Sequence, residues 1–353
     1  MKKSDAIIIY PVNKTNIGIV RWLAQSYKVI ALSPRGFSIL GRDVGVIDNR
    51  NELGIRSNET ISDKEILRDC KNIEIVEYED EISIRSKLEN LIQLADLKGA
   101  SVKYHFFSRE EYQKELEKQS NKWLKFRWMD RPVDFVFTGF KIPIIYVGSL
   151  FDESKSYELF LGLVLLLREK GIKVSGMGCD KTCSIFGTYR IPEKFSELNI
   201  SNDEKIKNLR NYLKCIVSLE KPEILVVQVP GAMMALNNAL TNGFGVDTYL
   251  FSNVTSPDLF YCCMPYELIN PENIEQYKKY FENKFNFPLE GLVATNQIID
   301  GTESFYGQKI QYFYQDITEM EQKLKKSKTC STQVYNLYSE KELQVMVQKI
   351  IDM

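Results

Sequence analysis

The sequence predicts an α/β protein with two doubly wound, mainly parallel sheets. Short apolar runs, such as Ala6–Tyr10 and Pro143–Val147, are typical of strands buried on both faces of a parallel sheet. These runs alternate with segments of helical periodicity, which is the pattern of repeated strand–helix–strand units. A chain of 353 residues is long enough for two such units, each with its own hydrophobic core.

The first series of alternating elements predicts a Rossmann-like domain over residues 1–107. Dinucleotide-binding folds place a glycine-rich turn after their first strand. Here that turn, residues 11–18, contains Gly18 as its single glycine, so NAD and FAD are not expected. Lys14 and Thr15 either hold an anion at the start of the next helix or belong to a solvated turn. The predicted strands are 6–10, 28–32, 43–48, 73–76 and 102–104, and the predicted helices are 17–25 and 82–97.

The second series follows a helical, aromatic connector at residues 108–141 and predicts another domain over residues 142–315. Residues 316–353 are predicted to form a C-terminal tail, polar and loose or helical, and a last helix. Ser339 and Glu342 have the spacing of a capping box at the start of that helix. The predicted strands are 143–147, 173–177, 223–228, 248–251, 259–263 and 289–295, and the predicted helices are 156–170, 203–219 and 271–285.

Charge and hydropathy exclude two classes of partner. The 46 Lys and Arg residues are balanced by 47 Asp and Glu residues, so no nucleic-acid partner is expected. The longest apolar stretch, Leu159–Leu167, is about half the length of a membrane-spanning helix. The N-terminus lacks the apolar core of a signal peptide. We therefore expect a cytoplasmic protein without membrane insertion, and a homodimer stays open.

The cysteines and the single histidine offer little catalytic chemistry. Seven cysteines form no disulfide pattern, and a zinc site usually needs more Cys or His ligands than Cys179 and Cys183. The prevailing interpretation is reduced thiols packed as small apolar side chains. His105, at the end of a predicted strand, is expected to be structural.

The turn after strand 143–147 has the composition of a degenerate P-loop. A P-loop follows a buried strand and opens a helix: its glycines let backbone N–H groups surround phosphate, its lysine reaches the terminal phosphates, and its Ser or Thr binds magnesium. Gly148, Lys155 and Ser156 occupy these positions. The second sheet is thus predicted to belong to a degenerate P-loop NTPase-like domain that binds ATP or GTP with magnesium.

The loop departs from the common P-loop in two ways. Ser154 stands where the second glycine is usual, and the loop, which includes Asp152, is one residue longer than the common form. An ordinary polar turn is the alternative interpretation. As a loop residue, Lys155 is expected to be exposed, so Lys155→Ala is predicted to weaken nucleotide binding without unfolding the protein.

Three more residues complete the predicted site. Asp180, after strand 173–177, is either a second magnesium ligand beside Ser156 or a turn residue. Gln228 and Gly231 lie where an acidic residue and a glycine-rich turn would face the phosphates. Glutamine cannot act as a base and is a poor magnesium ligand, so catalytic residues are not assigned.

The long loop resembles that of the dethiobiotin synthetase and cobyrinate amidase branch of P-loop enzymes. Over residues 5 to about 315 the chain resembles the clostridial peptide maturation system family. This resemblance rests on five motifs: Gly148–Phe151, Gly178–Gly187, Val229–Gly231, Asn242–Gly245 and Ser256–Asp258. This resemblance implies a role beside radical SAM enzymes and transporters in the maturation of a ribosomally made peptide, with a precursor peptide and a modifying enzyme as partners.

The two-domain order also resembles, more distantly, P-loop proteins tied to D-glutamate N-acetylation. That family's GKxT signature is absent here, so its activity is not carried over.

Three functions remain open. The first is a nucleotide-binding accessory protein, which as an enzyme would be an ATP-dependent ligase or NTPase. The second is a non-catalytic scaffold that presents the precursor peptide to a modifying enzyme. The third is a thiol enzyme using Cys179 or Cys183, for which the sequence offers no base.

Overall fold

The computed structural model describes residues 5–60, 70, 72–78, 100–105, 139–151, 153–192, 195, 198–307, 309–327 and 332–353. The chain divides into two compact units, residues 1–123 and 124–353. The predicted helix at 82–97 and almost all of the predicted connector at 108–141 lie outside the described residues.

The first unit contains a four-stranded parallel sheet with the order β2-β1-β3-β4. Its strands bury apolar side chains on both faces, among them Ile7 and Ile8 of β1. A helix, α1, connects β1 to β2 and packs on β2. The elements are β1 (Asp5–Tyr10), α1 (Ile17–Ser26), β2 (Lys28–Ala31), β3 (Asn72–Glu77) and β4 (Ser101–His105).

The predicted strand at 43–48 is wrong, since Val44–Asp48 forms a 3₁₀ helix. The Asp43 carboxylate accepts the Gly45 N–H at 2.7 Å and so caps the first turn. Arg21 of α1 forms a salt bridge with the buried Asp48 at 2.7 Å, which fixes the turn on the helix. Local capping thus overrides the alternating apolar pattern.

The second unit contains a seven-stranded parallel sheet with the order β13-β10-β9-β5-β8-β6-β7. A separate antiparallel pair, β11 and β12, follows β10. The strands are β5 (Ile144–Ser149), β6 (Val174–Gly178), β7 (Tyr189–Arg190), β8 (Ile224–Ala232), β9 (Leu259–Pro265), β10 (Leu289–Thr295), β11 (Gln297–Asp300), β12 (Gln311–Tyr314) and β13 (Gln333–Asn336). The helices are α2 (Glu153–Glu169), α3 (Asn202–Glu220), α4 (Val246–Ser252), α5 (Pro271–Phe285), α6 (Gly301–Gly307), α7 (Ile317–Ser327) and α8 (Glu340–Ile351).

The strand order reverses at β5. The chain leaves β5 through α2 to β6, returns through α3 to β8 on one side of β5, and then crosses through α4 to β9 on the other side. Ligands of open parallel sheets bind beyond the carboxyl ends of the strands at such a reversal. The end of β5 is therefore the place in this sheet where a ligand site is expected.

The predicted strand at 248–251 is also wrong, because this segment lies in α4. Burial of Thr248, Leu250 and Phe251 does not alternate along the chain, and the Thr248 hydroxyl donates to the Pro230 carbonyl at 3.0 Å. Four successive residues with positive φ, Asn242–Gly245, precede the helix and redirect the chain into it.

The C-terminal segment is part of the second unit. β13 pairs with β10 as an edge strand, and α8 packs against α2. The predicted cap by Ser339 is confirmed at the start of α8, where the Glu342 N–H donates to the Ser339 hydroxyl at 3.3 Å, while the Glu342 carboxylate accepts the Asn336 N–H and the Ser339 N–H donates to the Asn336 carbonyl. The sheet therefore extends past residue 315, where the predicted domain ended.

None of the helices in the described part of the chain combines the length and the apolar character that crossing a membrane requires.

Candidate functional site

The turn after β5 is held by backbone hydrogen bonds to both neighbouring strands. The Leu150 N–H donates to the Cys263 carbonyl at 2.9 Å, and the Leu150 carbonyl accepts the Met233 N–H at 3.1 Å. A Cβ atom at Gly148 would lie 2.9 Å from the Met233 sulfur and 3.1 Å from the Phe260 ring. In this structure Gly148 therefore permits close packing of β5 against its neighbours.

Helix α2 begins at Glu153, three residues before the predicted start. Lys155 and Ser156 thus lie in the first turn of the helix, and Ser154 has helical backbone geometry that needs no glycine. Asp152 lies outside the described residues. The side chain of Ser154 also does.

Lys155 is buried, contrary to the expectation of an exposed loop lysine. Its side chain is 2% exposed, and its Nζ lies 3.0 Å from the carboxylate of Glu158, which is 5% exposed. The rings of Tyr314 and Tyr338 lie near the same Nζ, with centroids at 5.2 Å and 5.7 Å. The sequence did not predict these three partners, and only the spacing of Lys155 and Glu158 on one helix face could have indicated the first.

Gln228 connects the predicted magnesium ligand to the end of β6. Its Oε1 accepts the Cys179 N–H at 2.8 Å, and its Nε2 donates to the Ser156 hydroxyl at 3.0 Å. A backbone N–H can only donate, so the amide orientation is fixed and Ser156 must accept. Gln228 and Ser156 were both predicted as site residues, and the structure brings them into contact inside the core.

Asp180 begins a 3₁₀ turn directly after β6. Its carboxylate accepts the Thr182 N–H at 2.8 Å and the Thr182 hydroxyl at 2.6 Å. With these contacts, Asp180 caps the turn. Gly231 adopts φ 80° near the end of β8, a conformation that favours glycine.

Among the described residues, no group of three or more His, Cys, Asp or Glu side chains could hold a metal ion. Burial raises the pKa of the Cys183 thiol to about 11, which opposes thiolate formation at neutral pH. Cys179 is half-buried. His105, as expected of a structural residue, lies 2.9 Å from the Glu74 carboxylate within the first sheet.

Ionisation of Cys183 is expected to destabilise the protein at alkaline pH. The pKa of this thiol rises from 9.0 in the unfolded chain to about 11 in the fold. The stabilisation that comes from this pKa difference is therefore complete below pH 9 and declines between pH 9 and pH 11. The total loss in the free energy of unfolding is about 3 kcal/mol. Urea denaturation at pH 8, 9 and 10 should show a smaller decline for Cys183→Ala than for the parent. An equal decline in both proteins would contradict this assignment.

The fold defines the class of this protein. The chain is an α/β protein with parallel sheets, as the sequence predicted. It is similar over its full length to a DUF1611 family protein from Anabaena variabilis, with a TM-score of 0.55, 11% identity, and coverage of 99% of this chain and 100% of that one. At this identity the likeness establishes the fold alone.

Two further solved structures match part of the chain. HypB from Helicobacter pylori in complex with nickel has a TM-score of 0.32 and 11% identity, and covers 60% of this chain and 86% of its own. The GTPase PAB0955 from Pyrococcus abyssi in apo form has a TM-score of 0.31 and 15% identity, and covers 60% and 96%. No protein-family model and no curated protein matches the sequence.

Proposed function

We propose that the second unit binds the phosphate chain of ATP or GTP at the turn between β5 and α2. The observation that carries the proposal is the placement of Lys155 and Ser156 in the first turn of a helix that follows the strand at which the sheet order reverses. Backbone N–H groups and the helix dipole attract anions at such a helix start. Lys155 adds a positive charge there.

The side chains favour binding over hydrolysis. Ser156 fits the position of a magnesium ligand, but its hydroxyl already accepts a hydrogen bond from Gln228. Gln228 is neutral, so a metal ion at this place would depend mainly on the charge of the phosphates. We therefore propose that a magnesium–nucleotide complex, when bound, acts as a structural ligand, with no catalytic base assigned.

The biological setting that we propose is the maturation of a ribosomally made peptide. Support comes from the sequence resemblance, whose motif Gly178–Gly187 forms the turn between β6 and β7, next to Gln228. Nucleotide binding would then regulate how the protein engages a precursor peptide or a modifying enzyme.

A nucleotide-independent scaffold is the second candidate. It is favoured by the internal pairing of Lys155 with Glu158 and of Ser156 with Gln228, because these contacts satisfy the site without a ligand. Capture of the precursor peptide in the absence of nucleotide would support the scaffold.

Thermal denaturation with ATP, GTP and magnesium tests the nucleotide proposal. A ligand that binds only the folded protein adds about 2.7 kcal/mol at a hundredfold excess over its Kd. We expect ATP or GTP to raise the Tm and adenosine, which lacks phosphates, to leave it unchanged. Ser156→Ala should reduce the magnesium-dependent part of the shift.

Ser252→Ala is the matched control, since Ser252 ends α4, which runs back toward the amino ends of the strands. No shift at millimolar nucleotide in any of these proteins would refute phosphate binding.

A further inference from the structure

Three different segments surround the ammonium group of Lys155. Glu158 lies one turn further along α2, Tyr314 ends β12, and Tyr338 follows β13. We call Tyr314 and Tyr338 the aromatic cover. Because Lys155 is 2% exposed, solvent reaches its side chain very little in this arrangement.

The two tyrosines are held in place by one buried residue, Asn296. Its Oδ1 accepts the Tyr338 hydroxyl at 2.7 Å, and its Nδ2 donates to the carbonyl of Gln315, the neighbour of Tyr314, at 2.9 Å. Asn296 directly follows β10 and is fully buried. One side chain therefore links both halves of the aromatic cover to the sheet.

Glu158 and a phosphate group would compete for the same cation. Charge-assisted hydrogen bonds from an ammonium group to a carboxylate or to a phosphate have the same geometry and similar strength. A phosphate that binds Lys155 would therefore compete with Glu158 for its N–H donors, and because Lys155 is 2% exposed, the side chains around it must move before phosphate reaches it.

We propose that the site is autoinhibited. The structure is a closed state in which Glu158 takes the place of phosphate on Lys155, and the hydrogen bonds of Asn296 hold the aromatic cover over the Lys155 ammonium group. The inference rests on the proposed nucleotide binding. The open state is the one that binds nucleotide, so the apparent Kd is weakened by the fraction of molecules that are open.

Acylation of lysines, followed by mass spectrometry, measures closure without any nucleotide. In the parent protein, Lys155 should react at least about tenfold more slowly than the exposed Lys170, as a closed state populated about nine times in ten requires. Tyr338→Leu, which removes a ring, and Tyr338→Phe, which keeps the ring but removes the hydroxyl that bonds to Asn296, should both speed the reaction. Tyr306→Leu, at a tyrosine that is 78% exposed, is the matched control and should not.

Nucleotide affinity is the second measurement, made by titration of ATP with magnesium and of inorganic triphosphate. We expect Glu158→Gln and Tyr338→Leu to lower the Kd by about tenfold or more relative to the parent and to Tyr306→Leu. Circular dichroism of each variant checks that it is folded, and Tyr338→Phe provides the milder change if Tyr338→Leu unfolds.

The two measurements separate the inference from the proposed function. Rapid acylation of Lys155 in the parent would overturn the closed state whatever the nucleotide result. A second outcome is slow acylation of Lys155 in the parent, with Glu158→Gln and Tyr338→Leu binding nucleotide no more tightly than the parent does. That outcome would overturn the autoinhibition and leave nucleotide binding standing. Opened variants that acylate quickly but bind neither ATP nor triphosphate would refute the nucleotide site itself, and the autoinhibition with it.

Discussion

Lys155→Met is expected to lower the free energy of unfolding by about 3–5 kcal/mol. The substitution keeps the length of the side chain but removes the charge that faces Glu158 at 3.0 Å in a site where both side chains are almost fully buried. Removing one member of a buried ion pair is costly, because the carboxylate that remains lies in a site where burial keeps water from taking the place of the lost ammonium group. Urea denaturation monitored by circular dichroism measures the change.

A second substitution separates the pair from simple packing. The double variant Lys155→Met with Glu158→Leu should recover most of the lost stability, because apolar side chains of similar size can replace a buried ion pair with little cost. Lys170→Met, at an exposed position just past the end of the same helix, should stay within about 0.5 kcal/mol of the parent. If Lys155→Met had as small an effect on stability as Lys170→Met, the buried ion pair would be wrong, and Lys155 would be an exposed loop residue as the sequence predicted.

The order of most strands and helices could be predicted because it depends on local patterns. Pro271–Phe285 and Leu289–Thr295 have the predicted bounds, since Pro271 and the Asn270 cap mark the helix start and the apolar run marks the strand. The failures are segments whose pattern was overridden. At 43–48 a capped turn replaced a strand, and at 248–251 the left-handed turn before α4 did the same.

The positions of the candidate site residues in the fold were predictable, and their contacts were not. Gly148 lies near the end of the central strand, and Lys155 and Ser156 lie at the start of the helix that follows. The rings of Tyr314 and Tyr338, which lie near the Lys155 ammonium group, come from far along the chain: Tyr314 ends β12 and Tyr338 follows β13. β13 has four residues, beside a segment that reads as a polar tail, so no sequence pattern indicated that these tyrosines return to the helix start.

Gln228→Glu is expected to make nucleotide binding depend more strongly on magnesium than in the parent and to tighten it by about tenfold in the presence of the ion, a gain of about 1.4 kcal/mol. The new carboxylate can accept the Cys179 N–H and the Ser156 hydroxyl, which are the two groups that the amide of Gln228 contacts at 2.8 Å and 3.0 Å. It also adds the negative charge and oxygen ligand field that Mg²⁺ prefers. Titration of ATP with and without magnesium, followed by the rise in Tm, measures the effect.

Gln228→Leu is the matched control for this gain. It has a similar size but leaves the Cys179 N–H without its acceptor, so it should lower the free energy of unfolding by about 1–3 kcal/mol and add no magnesium dependence. A larger magnesium-dependent rise in Tm in Gln228→Glu than in the parent and in Gln228→Leu would mean that the neutral side chain at this position limits metal binding in the parent. Equal magnesium responses in the parent and in both variants would mean that Gln228 lies outside the metal's reach, and the turn after β5 would then hold phosphate without a protein-bound metal.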